Sequence, residues 1–480
     1  MMKSKLLFYL FICWIPTASA QNAGIGTTSP LEKLEVNGAI KLGSTSTNHA
    51  GTIRWNPDRQ DFEGYNGITW VSLTGDQGQW GQQDQFSYEN WGTDFTLYHQ
   101  DPYFGNNLGA GMAATDEYIY AGAYGDYSPA GLEGAGMVYV ITRTPNHWKE
   151  YPDFEFTSPN PMALEQFGYS LDRSATYLVV GAPGWSQGKG RALIYSFDAN
   201  GHEVYHGSLY ASDNNPQDRF GHAVGMNDDF AIVGAPWRDV TGILDAGRIT
   251  IFKREPVNQK FIFQAHISPS DAASGDNFGR AISIYGNSIA VGASRKSING
   301  NVDQGKVYMY KWNGTNWMLD QQILSPEPAA YDRFGEALLL KGDTLFIAAT
   351  QSYTGEDNKN GRVYFYVRVG QQWVYQNAIN ASDGGVADNF GQSIDLKDGN
   401  LVIGAPTASI GLMEGCGKAY IFKFNGSHWI QQTVLSASNR SIGDHFGHRT
   451  IMAGQTVVIA APLAPIWDNN DNGRLYYFEK

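Results

Sequence analysis

The stretch that decides the fold is DNFGQSIDLKDGNLVIGAP, residues 388–406. Phe-Gly at Phe390 is followed 14 residues later by Gly-Ala-Pro at Gly404. Alternating apolar and polar residues flank a Lys-Asp-Gly turn, which predicts two short strands joined by a tight hairpin. The same stretch recurs along the chain, so the number and spacing of its copies determine the architecture.

Seven segments share this template. Six contain Phe-Gly, at Phe167, Phe220, Phe278, Phe334, Phe390 and Phe446. Fourteen residues later comes Gly-Ala-Pro or a relative, at Gly181, Gly234, Gly292, Ala348, Gly404 and Ala460. In the first copy Leu108-Gly109 takes the place of Phe-Gly, because this pair keeps the 14-residue spacing to Gly122 and Phe104 does not.

Each copy continues with a variable loop, a third strand that opens with Gly and a basic residue, and a fourth strand. Trp317, Trp373 and Trp429 mark the start of the fourth strand in three copies. A four-stranded unit repeated seven times predicts an all-β fold, a seven-bladed β-propeller. One blade cannot bury both faces of its sheet, so neighbouring blades must stack and the ring must close.

The last copy ends after its third strand, at GRLYYFEK. We expect an N-terminal strand to complete this blade, which would remove a free sheet edge. Trp91 stands 17 residues before Leu108, as Trp317, Trp373 and Trp429 stand before the next Phe. The spacing therefore predicts that NWGTDFTL supplies the closing strand.

The N-terminal 80 residues differ from the repeats. Residues 1–20 predict a cleaved signal peptide, with a basic start, an apolar run of 10 residues and Ala18-x-Ala20. We therefore expect a secreted protein or one at the outer cell surface. Residues 21–80 predict a β-rich stalk or oligomerisation segment, because their apolar content is too low for an independent core. Residues 81–480 form the predicted propeller, and no later apolar run is long enough for a transmembrane segment.

The net charge of the chain and the length of its hairpin turns limit the partners and metal ions that can be expected. The net charge of −13 and the lack of a basic stripe exclude nucleic acid as an expected partner. The turns between the first two strands, such as NDD and KDG, are two to four residues long. A calcium loop distributes its oxygen ligands over about 9–12 residues, so no metal and no cofactor is expected.

An acid precedes Phe-Gly and a basic residue opens the third strand in six copies. The last five copies hold them 30 residues apart: Asp218 and Arg248, Asp276 and Lys306, Asp332 and Arg362, Asp388 and Lys418, Asp444 and Arg474. In the first copy the acid and the base are both replaced, by Asn106 and Met137. Our hypothesis is a structural ion pair, within a blade or across a seam, and no catalytic role, because no nucleophile recurs beside the acids.

The loops after Gly-Ala-Pro vary most between copies, and binding residues commonly lie on such loops. The candidate ligand-binding residues are Trp185, Trp237, Arg238, Arg295, Tyr353 and Trp467. Tryptophan beside Asn and Asp can stack on a sugar and hydrogen-bond to it. The alternative, solvated loops with half-buried aromatic side chains, stays open.

A second candidate set starts the innermost strands and would form the rim of a central channel. It comprises Tyr169, His222, Arg280, Glu336, Gln392 and His448, with Ala110 in the first copy. His222 and His448 lie in blades that are not adjacent, so a shared metal site is not expected.

The paired marks in DNFGQSIDLKDGNLVIGAP and DRFGHAVGMNDDFAIVGAP resemble FG-GAP repeats, which form the seven-bladed propeller of integrin α subunits and of many bacterial secreted proteins. The resemblance covers about residues 85–480 and implies protein or glycan binding on the loop-rich face. The integrin calcium loop has no counterpart in these short turns, so its calcium sites are not carried over.

The segment NAGIGTTSPLEKLEVNGAIKLG, with DFEGYNGITWVSL, resembles the N-terminal stretch of Bacteroidota surface proteins related to phage tail fibres. This resemblance implies a stalk that forms a homo-trimer. The expected function is binding or adhesion without enzymatic activity. The alternatives are a glycan-active hydrolase or lyase that uses the channel mouth, and a purely structural surface component.

Overall fold

The computed structural model describes residues 106–143, 148–198, 202–351, 360–464 and 473–479, together with the strand segments 23–25, 34–36, 53–56, 61–65, 70–72 and 81–87. The chain divides into two compact units, Met1–Gly78 and Gln79–Lys480.

The first unit contains two small sheets. A parallel pair is formed by β1 (Ala23–Ile25) and β2 (Leu34–Val36). An antiparallel sheet is formed by β3 (Ile53–Asn56), β4 (Asp61–Tyr65) and β5 (Trp70–Ser72).

The second unit is a ring of seven antiparallel four-stranded sheets, as the repeat predicts. Blade 1 comprises β7 (Leu108–Ala114), β8 (Tyr118–Ala123), β9 (Met137–Arg143) and β10 (Trp148–Phe156). Blade 2 comprises β11 (Ser170–Arg173), β12 (Tyr177–Ala182), β13 (Arg191–Phe197) and β14 (Glu203–Leu209), with one helical turn, α1 (Trp185–Gly188), before β13. Blade 3 comprises β15 (Ala223–Met226), β16 (Phe230–Ala235), β17 (Arg248–Arg254) and β18 (Phe261–Ile267).

The remaining blades repeat this order from the innermost to the outermost strand. Blade 4 comprises β19 (Ala281–Tyr285), β20 (Ser288–Ala293), β21 (Lys306–Trp312) and β22 (Trp317–Ile323). Blade 5 comprises β23 (Phe334–Lys341), β24 (Thr344–Ala349), β25 (Arg362–Val369) and β26 (Gln372–Ile379). Blade 6 comprises β27 (Ser393–Lys397), β28 (Asn400–Ala405), β29 (Lys418–Phe424) and β30 (Trp429–Leu435). Blade 7 takes β31 (Arg449–Ala453), β32 (Thr456–Ala461) and β33 (Arg474–Glu479) from its own repeat.

An N-terminal strand closes the ring, as expected, but it is not the strand that the spacing predicts. The fourth strand of blade 7 is β6 (Gly81–Ser87), which pairs with β33 from Arg474 opposite Ser87 to Glu479 opposite Gly81. The prediction from Trp91 was wrong because the connection that follows β6, residues 88–107, is twice as long as residues 324–333 between β22 and β23. Trp91 itself lies outside the described residues.

The repeated Phe-Gly pairs pack at the seams between neighbouring blades. All six Phe side chains are fully buried, and so is Leu108, which takes the Phe place in blade 1. Gly190, just before β13, bridges to Phe220 of the next blade. A Cβ atom on Gly190 would overlap the carbonyl oxygen of Phe220, and its φ of +78° favours glycine. Gly473 lies against Leu108 in the same way and thereby joins blade 7 to blade 1.

The outermost strands carry a recurrent β-bulge. In blades 2 to 7 the pairing between the third and fourth strands shifts by one residue at the same place. The residues skipped by the register are all polar: His206, Gln264, Asp320, Gln376, Gln432 and Gln83. Bulges in edge strands discourage pairing with other chains, so each blade protects its own outer edge.

The propeller has two distinct faces. We call one the loop face: it carries the connections that enter each first strand and the loops between second and third strands. The bridge between Gly190 and Phe220 shows that these two sets of connections meet. We call the other the hairpin face, because it carries the turns between first and second strands and between third and fourth strands.

Candidate functional site

The innermost strands surround one cavity on the propeller axis, with a volume of about 520 Å³. The residues that follow Phe-Gly enter it from all seven blades: Ala110, Tyr169, His222, Arg280, Glu336, Gln392 and His448. The structure thus brings together the whole rim set from the sequence, at the end of the cavity nearest the loop face.

A salt bridge joins two neighbouring rim positions. Arg280 of blade 4 donates from Nε to Oε1 of Glu336 in blade 5, at 2.9 Å. The other carboxylate oxygen of Glu336 accepts a hydrogen bond from the Ser294 hydroxyl at 2.6 Å. Both oxygens of Glu336 are therefore held, and the charge of Arg280 is locally balanced.

Aromatic side chains form a continuous line along one side of the rim. The ring centroids of Tyr124 and Tyr169 are 5.2 Å apart, and those of Tyr169 and His222 are 5.1 Å apart. Trp237, from the variable loop of blade 3, meets His222 edge-on at 4.8 Å. The guanidinium of Arg280 lies 6.0 Å from the Trp237 ring. Trp237 therefore joins the candidate loop set to the candidate rim set at the cavity mouth.

The two rim histidines are neutral hydrogen-bonding groups. Burial is the main cause that lowers the pKa of His222 to about 3, and nearby Arg280, Arg449 and Arg219 act in the same direction. Burial also lowers the pKa of His448 to about 3, with Arg449 adding to the effect. The Nδ1 atom of each ring is buried and has no hydrogen-bond partner.

Arg449 is a cavity residue that the sequence interpretation missed. It lines the cavity one position after His448, and its Nε donates to the Ala110 carbonyl across the closing seam at 2.9 Å. Burial lowers the pKa of this guanidinium. The corresponding residues in the other blades are Gly111, Ser170, Ala223, Ala281, Ala337 and Ser393. One arginine among six small residues is the sequence signal that could have revealed it.

Two carboxylates line the cavity farther from the loop face. Asp172 lies three residues beyond Tyr169, about 10 Å along the strand. Its Oδ2 accepts the Met226 N–H at 2.7 Å, and Asp395 accepts the Met452 N–H at the same distance. Burial raises the pKa of Asp172 to about 6 despite these hydrogen bonds, and the charge of Asp395 adds to the rise.

The other candidate loop residues have different surroundings. Trp185 is half-buried, with its ring 5.2 Å from Tyr210 and 5.3 Å from the Arg191 guanidinium. Arg295 occupies the position in blade 4 that Trp237 occupies in blade 3, and it is exposed. Tyr353 and Trp467 lie outside the described residues.

Arg238 belongs to an ion-pair network rather than to an open surface. Its guanidinium contacts Asp213 at 3.0 Å and Asp218 at 2.7 Å, and its side chain is only 11% exposed. Blade 4 repeats this arrangement, since Lys296 contacts Asp271 at 3.7 Å and Asp276 at 2.7 Å. The side chain of Arg238 is therefore occupied in tying two connections of the loop face together.

The hypothesis of an acid–base pair is correct about the face on which the pairs lie. It is wrong about the acidic partner of four of the basic residues. Arg191 does contact the acid before Phe-Gly, Glu165, at 2.6 Å. Four bases instead contact an acid five residues earlier than predicted: Arg248 with Asp213, Lys306 with Asp271, Arg362 with Glu327, and Lys418 with Asp383. The pair of Asp444 and Arg474 stays a prediction.

The acids before Phe-Gly are buried, and each one is hydrogen-bonded within its own turn. Each accepts a hydrogen bond from the backbone N–H three residues before it, as Asp388 does from Gly385 at 2.6 Å. The same bond is made by Glu165, Asp218, Asp276, Asp332 and Asp444. This bond orients the carboxylate toward its own turn, which leaves the acid five residues earlier to meet the base.

Comparison with known proteins identifies the repeat. Residues 206–252, 261–310 and 373–422 match the family model described as FG-GAP repeat. Each matched segment runs from the fourth strand of one blade to the third strand of the next. The chain carries FG-GAP repeats.

Solved structures similar to this FG-GAP propeller include two bacterial proteins. One is a Bacteroides uniformis protein described as a candidate 6-phosphogluconolactonase, at 9% identity and a TM-score of 0.48, which covers 69% of this chain and 86% of that one. The other is the periplasmic gluconolactonase PpgL of Pseudomonas aeruginosa, at 11% identity and a TM-score of 0.46, with the same coverage. No curated protein sequence matches the chain.

The FG-GAP hairpins are short in the structure, as in the sequence. Only Gly286 and Asn287 separate β19 from β20 in blade 4. Among the described residues, no group of three or more His, Cys, Asp or Glu side chains is arranged to hold a metal ion. No helix in the same part of the chain is long and apolar enough to cross a membrane.

Proposed function

We propose that this chain is a secreted or cell-surface binding protein that recognises a protein or glycan ligand at the cavity mouth on the loop face. The observation that carries the proposal is the convergence of Trp237 with Tyr169, His222 and Arg280. Half-buried rings beside a few fixed polar groups are typical of ligand sites. The signal-peptide pattern in residues 1–20 supports export, and residues 21–80 would form the homo-trimeric stalk.

A glycan-active enzyme is the second candidate, because Glu336, His222 and His448 line the same cavity. The contacts favour binding over catalysis. Both oxygens of Glu336 are engaged by Arg280 and Ser294, and the Nδ1 atoms of the two histidines lack the partner that orients a general base.

A glycan and matrix-protein array, probed with the full chain, tests the proposal. The Trp237→Ala variant should lose the retained ligands, because it removes the ring at the mouth. Tyr285→Ala is the matched control, since it removes an exposed aromatic ring next to a turn of the hairpin face. Product release from a polysaccharide panel, with no ligand retained on the array, would replace the binding role by the enzymatic one.

A further inference from the structure

We infer that the cavity binds a sugar that carries a carboxylate, with the acidic group held by Arg449 beside His222 and His448. This inference rests on the proposed function, because it names the ligand class that enters the mouth at Trp237. It goes further by assigning a site inside the cavity to one chemical group of the ligand.

Arg449 reaches the cavity because blade 1 leaves space for it. Blade 1 places Ala110 where the other blades carry larger rim residues, and Arg449 crosses the seam to the Ala110 carbonyl. In the described part of the chain, Arg449 has no ion-pair contact with a carboxylate. A half-buried guanidinium without a counter-ion is costly, and an anionic ligand would offset that cost.

The electrostatic balance near the mouth is positive although the chain as a whole is acidic. Arg280 and Glu336 neutralise each other at 2.9 Å. Asp172 and Asp395 lie farther down the cavity, and both are engaged by backbone N–H groups. Arg449 lines the cavity, and Arg219 adds a second positive charge at the mouth, 5.5 Å from the Trp237 ring.

The histidines supply neutral hydrogen bonds around that charge. Arg449 and both histidine rings line the same cavity. Each ring has a buried Nδ1 atom without a partner. Both rings line the cavity, where a bound carboxylate or sugar hydroxyl would meet them as neutral hydrogen-bonding groups.

The volume of the cavity and its aromatic side chains favour a carboxylated sugar as the ligand. A cavity of about 520 Å³ has the volume of sites that hold small molecules. The aromatic line from Tyr124 to Trp237 offers faces for a sugar ring. The Nε atom of Arg449 is engaged by the Ala110 carbonyl, and an arginine can hold a carboxylate through two parallel hydrogen bonds from its other N–H groups.

Isothermal titration calorimetry on the full chain, with glucuronic acid, glucose and sulfate as probes, tests this assignment. The wild type should bind glucuronic acid about tenfold or more tightly than glucose, which is the usual effect of a charge-assisted hydrogen bond. Arg449→Met should abolish that preference. Arg254→Met is the control, because Arg254 lies at the hairpin face and contacts Asp229.

A second variant keeps the test decisive if Arg449→Met does not fold, as judged by its circular dichroism melt. His222→Phe keeps a ring against Trp237 but removes the nitrogen atoms, and it should weaken glucuronic acid binding about tenfold. Equal affinity for glucuronic acid and glucose, retained preference in a folded Arg449→Met, or sulfate that competes as strongly as glucuronic acid would each overturn the inference. Array ligands that depend on Trp237 but not on Arg449 would overturn it and leave the proposed function standing.

Discussion

The guanidinium of Arg248 contacts both carboxylate oxygens of Asp213, at 2.6 and 2.8 Å. Asp213 belongs to the connection that enters blade 3, and Arg248 opens the third strand of that blade. The two-point contact therefore fixes the connection on the loop face in one orientation. Lys306 and Asp271 repeat the relationship in blade 4 at 2.8 Å.

Replacement of Asp213 tests what this contact contributes to stability. Asp213→Ala removes the carboxylate partner of Arg248, whose side chain is only 9% exposed, so we expect a loss of roughly 1–2 kcal/mol in the free energy of unfolding. Asp229→Ala, which removes an exposed partner of Arg254, should change it by less than about 0.5 kcal/mol. Urea unfolding measures the free energy of unfolding of both variants. Equal losses would show that the contact between Asp213 and Arg248 does not stabilise the fold.

The ion pairs show how far a repeated spacing can be interpreted. The sequence correctly predicts that the base at the third strand meets an acid on the same face. It does not show which acid, because Asp218 and Asp213 are both close along the chain. The choice depends on the turn, in which Asp218 Oδ2 accepts the Asn215 N–H at 2.7 Å and also contacts Arg238 at 2.7 Å.

The seam glycines offer a sharper test of packing. Gly190→Ala would place a methyl group against the Phe220 carbonyl, so we expect a loss of about 3 kcal/mol or more, or no folded protein. Gly242→Ala is the matched control, because Gly242 has a similar φ of +85° but open space around it. The control carries only the backbone strain, about 1 kcal/mol. Thermal melts that show the same loss for both variants would contradict a close contact at the seam.

The pKa of Asp172 predicts a pH dependence of stability. Burial raises this pKa to about 6, above the value of about 3.9 in the unfolded chain. The folded state then binds the extra proton, so this group makes the wild type lose stability as the pH rises from about 4 to 6. Asp172→Asn cannot titrate, so its melting temperature relative to the wild type should rise across that window. A carboxyl carbon titration by NMR with a midpoint near 4 would contradict this.

The candidate site was only partly predictable for a physical reason. The rim residues follow from the repeat, because the first strand of every blade starts at the same level along the propeller axis. Trp237 could be assigned to a loop, but its contact with His222 depends on how that loop folds back over the rim. Arg449 was missed because its long side chain crosses a seam into space left by another blade, which spacing along the chain does not reveal.

The first unit leads to a prediction about the oligomeric state of the chain. If residues 21–80 form the homo-trimeric stalk, light scattering should give a trimer for the chain without residues 1–20 and a monomer after removal of residues 1–78. The remaining unit, Gln79–Lys480, keeps β6 and its pairing with β33, so its melting temperature should stay close to that of the full chain. A monomer in both cases would end the trimer hypothesis.

Removal of the next ten residues tests ring closure. A chain that starts at residue 89 lacks β6, so β33 becomes an edge strand whose N–H and C=O groups have lost their partners. Blade 7 also contacts blade 1 through β7, and a looser blade 7 would weaken that seam. We expect a melting temperature several degrees below that of the chain starting at residue 79, together with self-association through the open edge. Melts and light scattering of the two chains side by side give the comparison, and identical behaviour would mean that β6 is dispensable for closing the ring.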